Sequence, residues 1–84
     1  YIGEWVNGIR EGEGEFEALN GDKYIGSWLK NMKEGHGTLV TNSGKYVGSW
    51  TNNQRNGRGT QTYSNGSEYS GEWRNDQING LGKI

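Results

Sequence analysis

Tyr46, Gly48 and Trp50 alternate with Val47, Ser49 and Thr51, a period of two that predicts a strand with its aromatic residues on one face. Residues that tolerate a left-handed backbone come next. The column Gly8, Asn31, Asn53 and Asp76 holds the types that a tight primed turn selects. A second strand is predicted through Gly57 and Gly59 to Gln61 and Tyr63. Asn20-Gly21, Ser43-Gly44 and Asn65-Gly66 then turn the chain onward. The hairpin is written four times, opening at Tyr1, Tyr24, Tyr46 and Tyr69 with steps of 23, 22 and 23 residues. Such a period marks a repeat architecture. The units are 1–23, 24–45, 46–68 and 69–84, the last ending before its closing turn. We therefore expect a segment of a longer protein.

The glycines support this division. Fifteen of the 16 fall in four columns, Gly3/26/48/71, Gly12/35/57/80, Gly14/37/59/82 and Gly21/44/66, and Gly8 takes the turn column. A flexible glycine-rich linker has no reason to keep such registration, and the absence of Pro leaves every ladder uninterrupted. Two-residue turns at Gly8-Ile9 and its equivalents would set Trp5 opposite Gly12, Gly3 opposite Gly14 and Tyr1 opposite Phe16. A three-residue loop at Asn20-Gly21-Asp22 would set Gly14 opposite Trp28 and Phe16 opposite Gly26. Trp28 is then expected between Gly14 and Gly35, Trp50 between Gly37 and Gly57, and Trp73 between Gly59 and Gly80. Large rings over glycines on neighbouring strands would offset the poor strand propensity of glycine. The shorter second unit keeps its faces if its loop contracts to Ser43-Gly44, placing Thr41 opposite Tyr46.

Tyr-x-Gly-x-Trp followed by Gly-x-Gly, at 1–14, 24–37, 46–59 and 69–82, closely resembles the MORN repeat pattern, over the whole chain. The aromatic usual after Gly-x-Gly is Phe16, then Leu39, Gln61 and Ile84. The later aromatic position holds Ala18, Thr41 and Tyr63. The resemblance implies an elongated, curved sheet, in some members with a partner's helix seated in the concave groove. It also implies a place in cytoskeletal, ciliary or membrane-junction assemblies. Binding of acidic phospholipid has been suggested for some members.

Composition narrows the fold further. The chain has 84 residues, 29% of them hydrophobic, too few apolar side chains for a two-layer core at this size. Aromatics reach 12%, which favours a sheet with one aromatic face over a disordered segment. We expect an all-β, elongated, single-layer antiparallel meander of seven or eight strands, on the order of 35 Å long at about 4.8 Å per strand. There is no Cys, which excludes a disulfide scaffold and thiolate metal sites. No apolar run approaches the roughly 20 residues of a membrane-spanning helix. The net charge of −1 argues against a dedicated nucleic-acid or anionic-membrane surface. Charge is uneven, however: the first unit carries six acids and two bases, and the second carries three bases and one acid.

The candidate partner-binding residues are Tyr1, Trp5, Tyr24, Trp28, Tyr46, Trp50, Tyr69 and Trp73. A single layer has no second sheet to cover this face, and clustered aromatics mark recognition surfaces. The plainer reading is that the rings stabilise the sheet alone. Lys30, Lys33, Arg55, Arg58 and Arg74 are expected near the first-turn edge, where they form a candidate contact for acidic lipid. Glu11, Glu13, Glu15 and Glu17 are expected on the opposite face. Two carboxylates on one strand face lie roughly 7 Å apart, within the range of glycosidase pairs. An open face lacks the burial that would separate their pKa values, and a straight strand does not converge its oxygens on calcium. They read as a solvated face. His36 shares its column with Glu13, Arg58 and Leu81 and has no second ligand or triad partner. No Ser has a base at reach by spacing, and Gly-x-Gly leads into a strand, so it is no phosphate fingerprint. The expectation is a non-enzymatic scaffold needing neither metal nor cofactor, with a helix or neighbouring array as partner and no small-molecule substrate. It would lie in the cytoplasm, on the cytoskeleton or cilium, or at a membrane surface. A lipid-binding module or an accessory module of a larger enzyme are the alternatives.

Overall fold

Both central residues of each first turn have positive φ: Asn7 and Gly8 at 51° and 77°, Lys30 and Asn31 at 50° and 68°. Asn52-Asn53 and Asn75-Asp76 repeat the geometry. These are two-residue type I′ turns, whose twist matches that of the strands they join. They fall one residue earlier than the expected Gly8-Ile9. The computed structural model describes the backbone of residues 1–83 and the side chains of residues 1–79, so Leu81 and Ile84, counted in the columns above, lie outside the described side chains.

The strands are β1 (Ile2–Val6), β2 (Ile9–Glu17), β3 (Lys23–Leu29), β4 (Met32–Thr41), β5 (Gly44–Thr51), β6 (Gln54–Tyr63), β7 (Glu68–Arg74) and β8 (Gln77–Lys83). They pair in sequence order, each antiparallel to the next, in one open eight-stranded sheet measuring 41 × 23 × 15 Å. The expected all-β single-layer meander is what forms, with no helix among the described residues.

The register departs from expectation in one systematic way. Gly3 does oppose Gly14, but Trp5 opposes Arg10. One residue of β1 therefore faces three of β2, and the same irregularity recurs before Trp28, Trp50 and Trp73. Gly12, Gly35 and Gly57 sit within these bulges at φ 72°, 91° and 93°, a conformation that favours glycine. Between units, Gly12 opposes Trp28 and Phe16 opposes Tyr24, two positions away from the expected pairing. The loop responsible runs over the five residues Ala18–Asp22, closed by the Ala18 amide to the Asp22 carbonyl at 2.8 Å. In the short second unit Thr41 pairs with Gly44, and Leu39 rather than Thr41 faces Tyr46. Each error is an even number of residues, so every side chain keeps its predicted face.

Candidate functional site

The aromatic face is a single run of edge-to-face rings. Trp5 meets Tyr1 at 5.0 Å, Tyr1 meets Trp28 at 5.3 Å, Trp28 meets Tyr24 at 5.2 Å and Tyr24 meets Trp50 at 5.4 Å. The run continues through Tyr46 and Trp73 to Tyr69. Each such pair contributes about 0.5–1.5 kcal/mol beyond burial. The two ring types do different work. Tyr24 lies over the facing pair Gly26 and Gly37, so close that a Cβ at Gly37 would run into its ring and hydroxyl. Its hydroxyl donates to the Ser27 carbonyl at 2.9 Å, at the bulge, and Tyr1, Tyr46 and Tyr69 do the same three residues on. The indoles reach back one unit instead. Trp28, Trp50 and Trp73 donate Nε1–H to the carbonyls of Gly14, Gly37 and Gly59 at 3.2, 3.3 and 3.2 Å. The expectation that each indole covers glycines on both neighbouring strands is thus corrected. Tyrosine covers the glycine pair, because the bulge carries each Trp away from the following strand's Gly-x-Gly.

This arrangement uses up the column as a surface. Trp28, Trp50 and Trp73 are 5%, 3% and 4% exposed and the three inner tyrosines less still, whereas Trp5 is 55% exposed. The expected reachable face of rings is in fact the core, since the rings of successive units cover one another. Burial pushes the Tyr46 phenol up to about 12, with the Arg55 charge opposing, and burial drives Tyr24 further in the same direction.

A layer of side chains lies above this floor. The guanidinium of Arg10 stacks over Tyr1, Phe16 and Trp28, the ammonium of Lys33 over Tyr24 and Trp50, and the guanidinium of Arg55 over Tyr46 and Trp73. Burial lowers the Lys33 ammonium from its usual range. The turn of each following unit clamps these residues from the side. Asn31 Oδ1 accepts from the Arg10 amide at 2.8 Å and from its Nε at 3.2 Å. Asp76 does the same for Arg55 at 2.8 and 3.1 Å, and Asn53 takes the Lys33 amide at 2.8 Å. The turn amides return a bond to the carbonyls of Arg10, Lys33 and Arg55. The column read as turn formers therefore also fastens unit to unit. Sequence reasoning missed this role, although both partners recur at the repeat period.

Over units two and three the layer leaves a groove of about 390 Å³. It is lined by Leu39, Thr41, Ser43, Trp50, Gln61 and Tyr63 and flanked by Lys33, Asn53, Arg55 and Asp76. Leu39 and Gln61 stand where the repeat usually has an aromatic, and the smaller side chains open this space. Arg55 holds the buried Gln61 through its Oε1 at 3.4 Å.

The five bases singled out for lipid do not share one surface. Lys33 and Arg55 are half-buried in the aromatic face, Lys30 sits in a turn, Arg74 precedes one, and Arg58 lies on the opposite face against Glu72 at 2.6 Å. Of the four acids, Glu15 pairs with Lys23 at 3.1 Å, Glu13 accepts from Ser27, and Glu11 accepts from the Lys30 amide. Glu13 and Glu11 thereby tie the first unit to the second, while Glu15 and Lys23 both belong to the first. His36 is exposed beside Ser49. Among the described residues no group of three His, Cys, Asp or Glu side chains could hold a metal ion, and no helix is long and apolar enough to cross a membrane.

Four copies of one hairpin in a single open sheet, with rings and cations repeating along one face, define a β-hairpin repeat protein in which each unit is completed by its neighbours. The family model described as MORN repeat matches residues 1–23, 24–45, 46–68 and 69–84. The chain belongs to the MORN repeat family, whose repeats are protein- and membrane-interaction modules. No curated protein matches the chain.

Proposed function

We propose that this segment is a non-enzymatic scaffold module that seats a helix of a partner protein, or a neighbouring array, in the groove on its aromatic face. The assembly served would be cytoskeletal, ciliary or at a membrane junction. The observation that carries this reading is the groove itself, with a rigid aromatic floor, half-buried Leu39 and Tyr63 as apolar contacts, and cations at its rim. A helix about 10 Å across suits a channel of this kind. Its floor is held by the hydrogen bonds of Trp50 and Tyr46, so little ordering cost is left to binding.

The column of Tyr1, Trp5, Tyr24, Trp28, Tyr46, Trp50, Tyr69 and Trp73 serves this function as the floor. Truncating its inner rings would damage the fold and binding together. The discriminating experiment places a photo-crosslinking amino acid at position 39 or at position 36 of the complete protein in cells. Crosslinks from position 39 to one helical segment of a partner, with none from position 36, support the groove. The opposite result would reject it.

A further inference from the structure

The charges on the aromatic face point to the chemistry of what fills the groove. Strand positions on that face carry Arg10, Lys33 and Arg55, while Glu4, Glu13, Glu15, Glu17, Glu68 and Glu72 alternate onto the other side. Arg55 has its counter-charge in Asp76 at 3.1 Å. Arg10 has only neutral acceptors, Asn31 Oδ1 at 3.2 Å and the Asn31 carbonyl at 3.3 Å. Lys33 has less. Its ammonium lies 5.6 and 5.4 Å from the Tyr24 and Trp50 ring centroids and forms no hydrogen bond or ion pair with any described residue. A half-buried ammonium held over two rings, with its donors unused, is costly unless an acceptor arrives.

We propose that the helix seated in this groove is acidic on its inward stripe, presenting one carboxylate to Lys33 inside the groove and, where it runs on past the groove over unit one, a second, one heptad away, to Arg10. This rests on the reading of the groove as a helix seat and names the chemistry of that helix. The spacing follows from the sheet. Lys33 on β4 and Arg10 on β2 are two strands apart, about 9.6 Å. Seven residues of helix rise about 10.5 Å and return to nearly the same face. Between the carboxylates the stripe is apolar, matching the Tyr24 and Trp28 rings that lie between Lys33 and Arg10. Asp76 repels a third acid at the Arg55 position, which gives the helix a direction along the array.

The test uses labelled helical peptides of about 18 residues with a Leu/Met stripe, carrying two Glu, two Gln or two Lys seven positions apart. Binding is followed by fluorescence anisotropy on the complete protein and its Lys33→Gln, Lys33→Glu and Lys33→Arg variants. The Glu peptide is expected to bind wild type about tenfold more tightly than the Gln peptide, with the advantage shrinking in salt. Lys33→Gln should erase the difference and Lys33→Glu should transfer it to the Lys peptide. Lys33→Arg should retain it, which separates charge from folding. Equal binding of the Glu and Gln peptides would overturn the carboxylate assignment and leave the helix seat standing. Failure of all three peptides to bind would overturn both. Displacement of the Glu peptide by phosphatidylserine vesicles, with none by phosphatidylcholine vesicles, would reject the acidic helix in favour of a lipid surface.

Discussion

Trp5 and Trp50 hold the same place in their units and end in opposite environments. Trp50 is packed between Tyr46 of its own unit and Tyr24 of the one before, and its Nε1–H reaches the Gly37 carbonyl. Trp5 touches Tyr1 and, among the described residues, has neither a preceding tyrosine nor a carbonyl to donate to. The turns differ in the same way, since Asn31, Asn53 and Asp76 each accept from the backbone amide of a basic residue in the unit before, while Gly8 has no side chain with which to clamp. The lesson is that stability resides in the junctions between units. One repeat supplies the tyrosine and the next supplies the tryptophan that buries it, as expected of an array whose energy is largely a sum of nearest-neighbour terms.

The sharpest way to break that comparison is to truncate both rings. Trp50→Ala is expected to cost about 3–5 kcal/mol in denaturant unfolding, and Trp5→Ala under about 1 kcal/mol. Equal losses would show that the junction is not what matters. Next in size, Gly37→Ala drives a Cβ into the Tyr24 ring and should cost about 1–3 kcal/mol. Gly14→Ala meets the Tyr1 ring in the same way, but half-buried Tyr1 can swing outward, so its melting temperature should fall less.

The clamps come third. Arg55 and Asp76 remain partly exposed, 25% and 43% at the side chain, so solvent screening limits the pair and Asp76→Ala should cost about 1 kcal/mol. A double-mutant cycle with Arg55→Ala would isolate the coupling, and Gly8→Asn, which has no cation to hold among the described residues, should change little.

Alkaline pH offers a gentler probe of the interior. With the Tyr46 phenol raised from 10.0 to about 12, the folded protein keeps a proton that the unfolded chain loses just above pH 10. Its stabilising contribution is full below pH 10 and is lost as pH rises toward 12. Tyr24 acts in the same direction, and Tyr46→Phe should flatten the slope of stability against pH. Lys33 works the other way: its lowered value means that stability rises with pH as the buried ammonium is neutralised on the way to 10.5. Smallest of all, Glu13→Ala on the solvated face should stay within about 0.5 kcal/mol.

Periodicity alone determined the repeat, a meander of seven or eight strands and the face of each residue. Face assignment survives any register error of an even number of residues, which is why Trp28 keeps its expected side while opposing Gly12 rather than Gly14. The division of labour inside Gly-x-Gly could not be read off. Whether Gly35 serves a bulge and Gly37 a ring contact depends on where the turn falls, and Gly8-Ile9 and Asn7-Gly8 are both plausible turn dipeptides. Nor could the sequence tell a surface ring from a buried one, because nothing within a unit covers its own tryptophan. Only the stacking of hairpins decided that the Tyr and Trp column is the core. The same stacking set Arg10, Lys33 and Arg55 above the rings and left the groove beside Leu39 and Tyr63 as the accessible ground.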